Sequence, residues 1–182
     1  MSWGKLLQPD LVLGAPILHL SADILIRYHL KGLVLDVDET LVPLKSRQAS
    51  AELHDKLAEL RQVARLWLVS NNPSETRIGS IARSLELPYL LGAAKPSRRK
   101  LRQAVAAMDL PVEQVAMVGD RLFTDVLAGN RFGMFTILVE PMVDPSNTMG
   151  GLPIRSFEVW FSQALGASLH PHPQKFTNRN ES

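Results

Sequence analysis

The sequence predicts an α/β fold: a Rossmann-like parallel sheet sandwiched between helices, with no cap domain. Three observations lead there. Short apolar runs alternate with stretches of helical spacing from Leu33 to Val139, the pattern of repeated βα units. The strand-like runs are continuously apolar rather than alternating, as strands covered on both faces are. Several of them end in acidic or hydroxyl residues, and ligand sites of such sheets lie beyond the carboxyl ends of the strands.

The elements follow in order. Leu33, Val34 and Leu35 open a buried strand that runs into Asp36 and Asp38. Leu53, Leu57, Leu60 and Val63 have helical spacing over 51–63. Residues 66–70 read as a second strand ending at Ser70, and Pro73 suits the first turn of a helix reaching Leu85. A short strand over 88–91, a helix over 96–108 and a strand over 115–118 come next. A helix over 123–130 and a last strand over 135–139 complete the series. Residues 1–30 are apolar but irregular, interrupted by Pro9 and Pro16. The expected organisation is one domain over 1–168, with a catalytic core at 31–140 and a helix within 141–168. A loose tail, rich in Pro and Asn, follows over 169–182.

Composition narrows the classes. The 182 residues are 46% hydrophobic and 21% charged, which excludes wholesale disorder, collagen and coiled coil. With no cysteine, disulfide scaffolds, thiolate metal sites and cysteine nucleophiles are excluded. A net charge of +2 permits an anionic partner without requiring one. No run of 18 apolar residues is present, and the start lacks the regions of a signal peptide. The expected location is cytoplasmic, with peripheral association at the cytoplasmic membrane face as an option.

Asp36 and Asp38, Ser70 and Asn71, Lys95, and Asp120 with Asp125 all fall near predicted strand ends. Four acids gathered at one edge repel one another by a few kcal/mol per pair, and a divalent cation relieves that repulsion. Oxygen donors without His or Cys select a hard ion, Mg²⁺ foremost. Acids, a lysine, a hydroxyl and Mg²⁺ suit phosphoryl transfer. One carboxylate attacks phosphorus, and another protonates the leaving oxygen and then activates water. Blander readings fit individual residues: a helix cap for Ser70, a surface lysine for Lys95, a first-turn acid for Asp125. A calcium loop does not fit, because Leu41 stands where that loop needs Gly.

Asp36-Val37-Asp38-Glu39-Thr40 resembles the DxDxT motif of the haloacid dehalogenase (HAD) superfamily. Ser70, Lys95 before Pro96, and the GDxxxxD run from Gly119 to Asp125 resemble its other three motifs, in order. The runs Val69-Ser70-Asn71-Asn72, Ala94-Lys95-Pro96 and Gly129-Asn130-Arg131 narrow the resemblance to YqeG-type phosphatases of subfamily IIIA. That group is similar to the mitochondrial phosphatidylglycerophosphatases. The resemblance implies Asp36 as nucleophile and Asp38 as general acid/base. Asp36, Asp120 and Asp38, the last through its main-chain carbonyl, would hold Mg²⁺. Ser70, Asn71, Thr40 and Lys95 would bind phosphate, Lys95 also offsetting charge on Asp36, and Asp125 would orient Lys95 or a metal-bound water. Arg121 departs from the neutral amide common in relatives, and Glu39 from the usual Asn or Gly.

The intervals 41–66 and 71–94 are too short for an inserted cap domain, so an open site and a large substrate are expected. An anionic lipid head group at a membrane surface fits best, phosphatidylglycerophosphate being the substrate the resemblance implies; a soluble phosphosugar, nucleotide or phosphoprotein is the alternative. No nucleic-acid partner is expected. The apolar stripe Ile154, Phe157, Trp160, Phe161, Ala164 and Leu165 could lie in a membrane interface or pack on the sheet. The amino-terminal Trp3, Leu6, Leu7 and Leu11 offer a similar surface. Lys95, Arg98, Arg99, Lys100 and Arg102 read either as a lipid-facing basic cluster or as the solvated face of a helix.

Overall fold

A computed structural model describes residues 3–142. The predicted carboxyl-terminal helix, its apolar stripe and the tail lie outside the described residues. Six parallel strands form one sheet in the order β1-β6-β5-β2-β3-β4. They are β1 (Leu11–Val12), β2 (Gly32–Leu35), β3 (Arg65–Val69), β4 (Tyr89–Leu90), β5 (Val115–Gly119) and β6 (Phe135–Leu138). The helices are α1 (Trp3–Leu6), α2 (Ala22–Arg27), α3 (Ala51–Arg61), α4 (Glu75–Ser84), α5 (Arg99–Met108) and α6 (Leu127–Phe132).

The strand registers explain the two cores. Leu33 and Leu35 stand beside Leu66 and Leu68 on one side, and beside Ala116 and Val118 on the other. Side chains alternate across a sheet, so these residues share one face. There they pack with Leu53, Leu57 and Leu60 of α3 and Ile78, Ile81 and Ala82 of α4. Val34 and Met117 occupy the opposite face with Leu101, Ala104, Val105 and Met108 of α5 and Ala128 of α6. Ser50 caps α3 by accepting from the Leu53 N–H at 3.2 Å.

The structure departs from the sequence expectation at element ends and at the amino terminus. Helix α5 begins at Arg99 rather than at Pro96, because residues 95–98 form a turn in which the Ser97 N–H donates to Ala94 O. The irregular first thirty residues contain an edge strand. Leu11 and Val12 pair with Ile137 and Leu138, a partnership 126 residues away that local periodicity cannot announce. Leu7 and Leu11 enter the core while Trp3 stays 64% exposed, so the four-residue apolar surface expected there is divided. Among the described residues, one helix separates β2 from β3 and one separates β3 from β4, with no cap domain in either interval.

Candidate active site

The chain winds one way from β2 to β3 and the other way to β5, so the end of β2 is a topological switch point. Asp36 follows β2 directly, its N–H donating to Val118 O at 3.0 Å. Beyond it the backbone curls tightly. The Leu41 and Val42 N–H groups both donate to Val37 O, and the Glu39 N–H donates to Val42 O. Glu39 sits at φ 64°, in the left-handed region that Asn and Gly enter most easily. Buried Thr40 turns inward and donates to Asp120 Oδ1 at 3.1 Å, across 80 residues of sequence.

Lys95 is the hub. Its ammonium is buried and lies 2.6 Å from Asp36 Oδ1, 2.7 Å from Asp125 Oδ1 and 3.0 Å from Val69 O. The contact with Asp125 is an ion pair. Asn71 fixes the Lys95 backbone: its Oδ1 accepts from the Lys95 N–H at 2.7 Å and its Nδ2 donates to Lys95 O at 3.3 Å. The Lys95–Pro96 peptide is cis. Ser70 is fully buried; its Oγ accepts from the Asn72 N–H at 3.0 Å and makes a long 3.5 Å contact to Asp38 Oδ2.

The fourth segment is a π-helical turn, Leu122–Val126, where a regular helix was expected. Such turns carry one extra residue and occur often at functional sites. Here the turn swings Asp125 back over the end of β5, and the Arg121 N–H donates to Asp125 Oδ2 at 3.2 Å. Gly119 makes this approach possible: a Cβ there would lie 2.3 Å from Asp125 Oδ2 and 2.6 Å from Asp125 Cβ.

Electrostatics follow from burial. Asp36 is pushed up to about 6, chiefly by burial, against the pull of Lys95. Asp120 is pushed up to about 7 by burial and by the neighbouring Asp125 and Asp36 charges. Burial works against the Lys95 ammonium, yet Asp125 and Asp36 more than offset it and hold the proton more firmly than usual. Asp38 stands apart, its Oδ1 paired with Arg77 Nη1.

Comparison with known proteins decides the family. Residues 92–144 match the family described as HAD-hydrolase-like. The probable phosphatase YqeG of Bacillus subtilis (strain 168) is 35% identical over 127 residues, covering 69% of this chain and 73% of that protein. The chain belongs to the HAD superfamily, with the YqeG-type phosphatases. The chloroplastic phosphatidylglycerophosphate phosphatase 1 of Chlamydomonas reinhardtii is 30% identical over 151 residues, 78% of this chain and 56% of that protein. A haloacid dehalogenase-like hydrolase from Brucella suis 1330 superposes with a TM-score of 0.50 at 13% identity. That alignment covers 85% of this chain and 99% of the other, and it speaks for the fold alone.

The HAD site has the donors for a metal. Carboxylate oxygens of Asp36, Asp120 and Asp125 all lie within 4.8 Å of one another. Lys95 pairs with Asp36 and Asp125, and Arg121 Nε lies 3.9 Å from Asp120 Oδ2, while burial raises the proton affinity of Asp36 and Asp120, a cost that a bound cation would relieve. Oxygen-only donors fit a hard divalent cation.

Of two further site residues, the sequence reading marks Arg121 only as a departure from relatives and does not mark Arg77. Arg121 Nη2 pairs with Glu39 Oε2 at 2.7 Å, joining the segments that follow β5 and β2. Arg77 reaches Asp38 from the first turn of α4, where the helix dipole favours an acid and disfavours a cation; that misfit is its one trace in the sequence. Asn130 and Arg131 serve as ties. Asn130 Nδ2 donates to Leu6 O and Gln8 O, and Arg131 Nη1 donates to Pro96 O.

Proposed function

We propose that this HAD-type phosphatase is a Mg²⁺-dependent phosphomonoester hydrolase of phosphatidylglycerophosphate, working at the cytoplasmic membrane face through an aspartyl-phosphate. The carrying observation is the buried Lys95 ammonium 2.6 Å from Asp36 at the switch point, with Asp120 and Asp125 beside it. Asp36 is the nucleophile. Lys95 offsets the charge that builds on Asp36 and on the phosphoryl oxygens, and Asp125 holds Lys95 in place. Ser70 and Asn71 bind phosphoryl oxygens. Thr40, its hydroxyl committed to Asp120, aims that carboxylate. Asp38 protonates the leaving oxygen, then takes a proton from the water that hydrolyses the acyl phosphate. Asp36, Asp120 and the main-chain carbonyl of Asp38 hold Mg²⁺. When bound, the ion draws charge from the phosphoryl oxygens and screens Asp36 from its anionic substrate.

Four features support a lipid head group as substrate. A curated relative named for phosphatidylglycerophosphate is 30% identical over 151 residues. No cap domain interrupts the described residues. Leu44, on the loop after the first motif, is 54% exposed, and Trp3 is 64% exposed. Arg98, Arg99, Lys100 and Arg102 follow directly on the Lys95 loop, and each cation near an anionic bilayer contributes about 1 kcal/mol. No helix among the described residues is long and apolar enough to cross a membrane, which is consistent with attachment from one side.

The test is phosphate release from phosphatidylglycerophosphate in detergent micelles, set against a panel of phosphosugars, nucleotides and phosphopeptides. The expected result is a kcat/KM for the lipid at least about 10²-fold above any soluble ester, dependent on Mg²⁺. The Asp36→Asn variant should lose roughly 10⁴-fold or more. Soluble esters turned over as well as the lipid would move the reading to a soluble substrate. Full activity in Asp36→Asn would remove the assigned nucleophile.

A further inference from the structure

Arg77 makes several polar contacts outside the Lys95 cluster. Its own N–H donates to Ser74 Oγ at 3.3 Å, which fixes its backbone at the start of α4. Its guanidinium then reaches back to a single loop, the one that leaves the first motif. Nη1 pairs with Asp38 Oδ1, Nε donates to Ser46 O at 3.0 Å, and Nη2 donates to Pro43 O at 3.3 Å. The Arg77 side chain is 11% exposed and that of Asp38 17%. A planar fork engaged at three points has little freedom left. One oxygen of Asp38 is therefore held on Arg77. The other, Oδ2, is turned toward Ser70 at 3.5 Å, the residue proposed above to bind phosphate.

From this geometry we infer that Arg77 is the positioning residue of the proton-transfer step: it clamps Asp38 Oδ1 so that Oδ2 faces the leaving oxygen. The inference rests on the proposed role of Asp38 as general acid/base. In the first half-reaction an Asp36 oxygen bonds to phosphorus and the bond from phosphorus to the leaving oxygen breaks. The proton on Asp38 Oδ2 passes to that oxygen. In the second half-reaction a water oxygen bonds to phosphorus, the Asp36–phosphorus bond breaks, and a proton from the water returns to Oδ2. Arg77 touches neither the substrate nor the phosphoryl group; it acts through Asp38 alone.

A proton donor matters most when the leaving group is a strong base. The experiment compares kcat/KM, which reports the first half-reaction, for the best alkyl phosphate of the wild-type enzyme and for p-nitrophenyl phosphate, whose leaving group needs no proton. Asp38→Asn should lower the alkyl ester about 10²-fold or more while lowering the aryl ester less than about threefold. Arg77→Gln should show the same selectivity, with Arg77→Lys in between. In the Asp38→Asn background Arg77→Gln should add nothing, because a clamp without its carboxylate has no function. Circular dichroism on each variant reports folding, and Arg77→Lys keeps the test open should Arg77→Gln fold poorly. Equal losses on both esters, or a multiplicative loss in the Asp38→Asn background, would overturn the positioning role. Absence of selectivity in Asp38→Asn itself would overturn the general-acid reading and the inference with it.

Discussion

Two polar clusters stitch distant parts of this chain together, and they are built on opposite terms. One surrounds Thr136 on β6. Asp10 Oδ2 accepts from the Thr136 N–H at 2.8 Å, and the Asp10 N–H donates to Thr136 Oγ1 at 3.1 Å. The single hydroxyl proton of Thr136 is shared between Asp10 Oδ2 at 2.9 Å and Asn130 Oδ1 at 3.1 Å. Asn130 in turn holds the carbonyls of Leu6 and Gln8 at 2.8 Å each. Each side chain in this cluster has hydrogen-bond partners. The other gathers Asp36, Asp120 and Asp125 around one Lys95. There the acids outnumber the lysine, and burial lifts Asp36 and Asp120 well above the ordinary carboxylate range. A balanced network stabilises the fold. An unbalanced one persists only where a ligand completes it, as expected of a functional site.

Gly119→Ala should separate the two clusters most sharply. The new methyl group would occupy the space of the Asp125 carboxylate, so Asp125 must leave Lys95 or β5 must shift. We expect kcat/KM to fall by about 10²-fold or more and stability by about 1–3 kcal/mol. The Asp10–Thr136 hydrogen bonds should keep their protection in hydrogen exchange. Unchanged turnover in this variant would show that Asp125 is dispensable to Lys95.

Asp10→Ala is the reciprocal experiment. It removes the acceptor for two donors, the N–H and the hydroxyl of the fully buried Thr136, and should cost about 1–3 kcal/mol in a denaturant titration. Turnover by the folded protein should not change. A loss of activity at full stability would mean that the amino-terminal segment reaches the site.

The two clusters also differ in how far they could be read from the sequence. The functional one was legible because its members follow apolar runs: Asp36 after Leu35, Ser70 after Val69, Asp120 after Gly119. A parallel sheet brings strand ends to one edge by its topology alone. The stabilising cluster was illegible because Asp10 and Thr136 meet only through a two-residue edge strand, held by its pairing with β6 rather than by any propensity of its own. Arg77 was hidden for a third reason. Its importance lies in the reach of a long side chain from α4 to the loop after β2, and periodicity describes backbones rather than reach. The π-helical turn is a similar case. GDxxxxD fixes the spacing of Asp120 and Asp125, but only the extra residue of the turn sets Asp125 over Gly119.

The smallest expected effect is the most diagnostic of charge imbalance. Asp36 and Asp120 titrate near 6 and 7 in the folded protein without metal, and near 3.8 when unfolded. Between those values the folded chain binds more protons than the unfolded one, so metal-free stability is higher at acid pH and declines as pH rises toward 7. A divalent cation binds the deprotonated acids, so the stabilisation it confers should grow over the same window. Thermal unfolding with and without Mg²⁺, from about pH 5 to about pH 8, should show a difference in melting temperature that widens by a few degrees. Asp120→Asn removes one of the two titrations and should flatten both trends, whereas Asp10→Ala, in the balanced cluster, should shift all the curves together. A Mg²⁺ effect that does not depend on pH, or one that survives intact in Asp120→Asn, would mean that the ion is held elsewhere than on these acids.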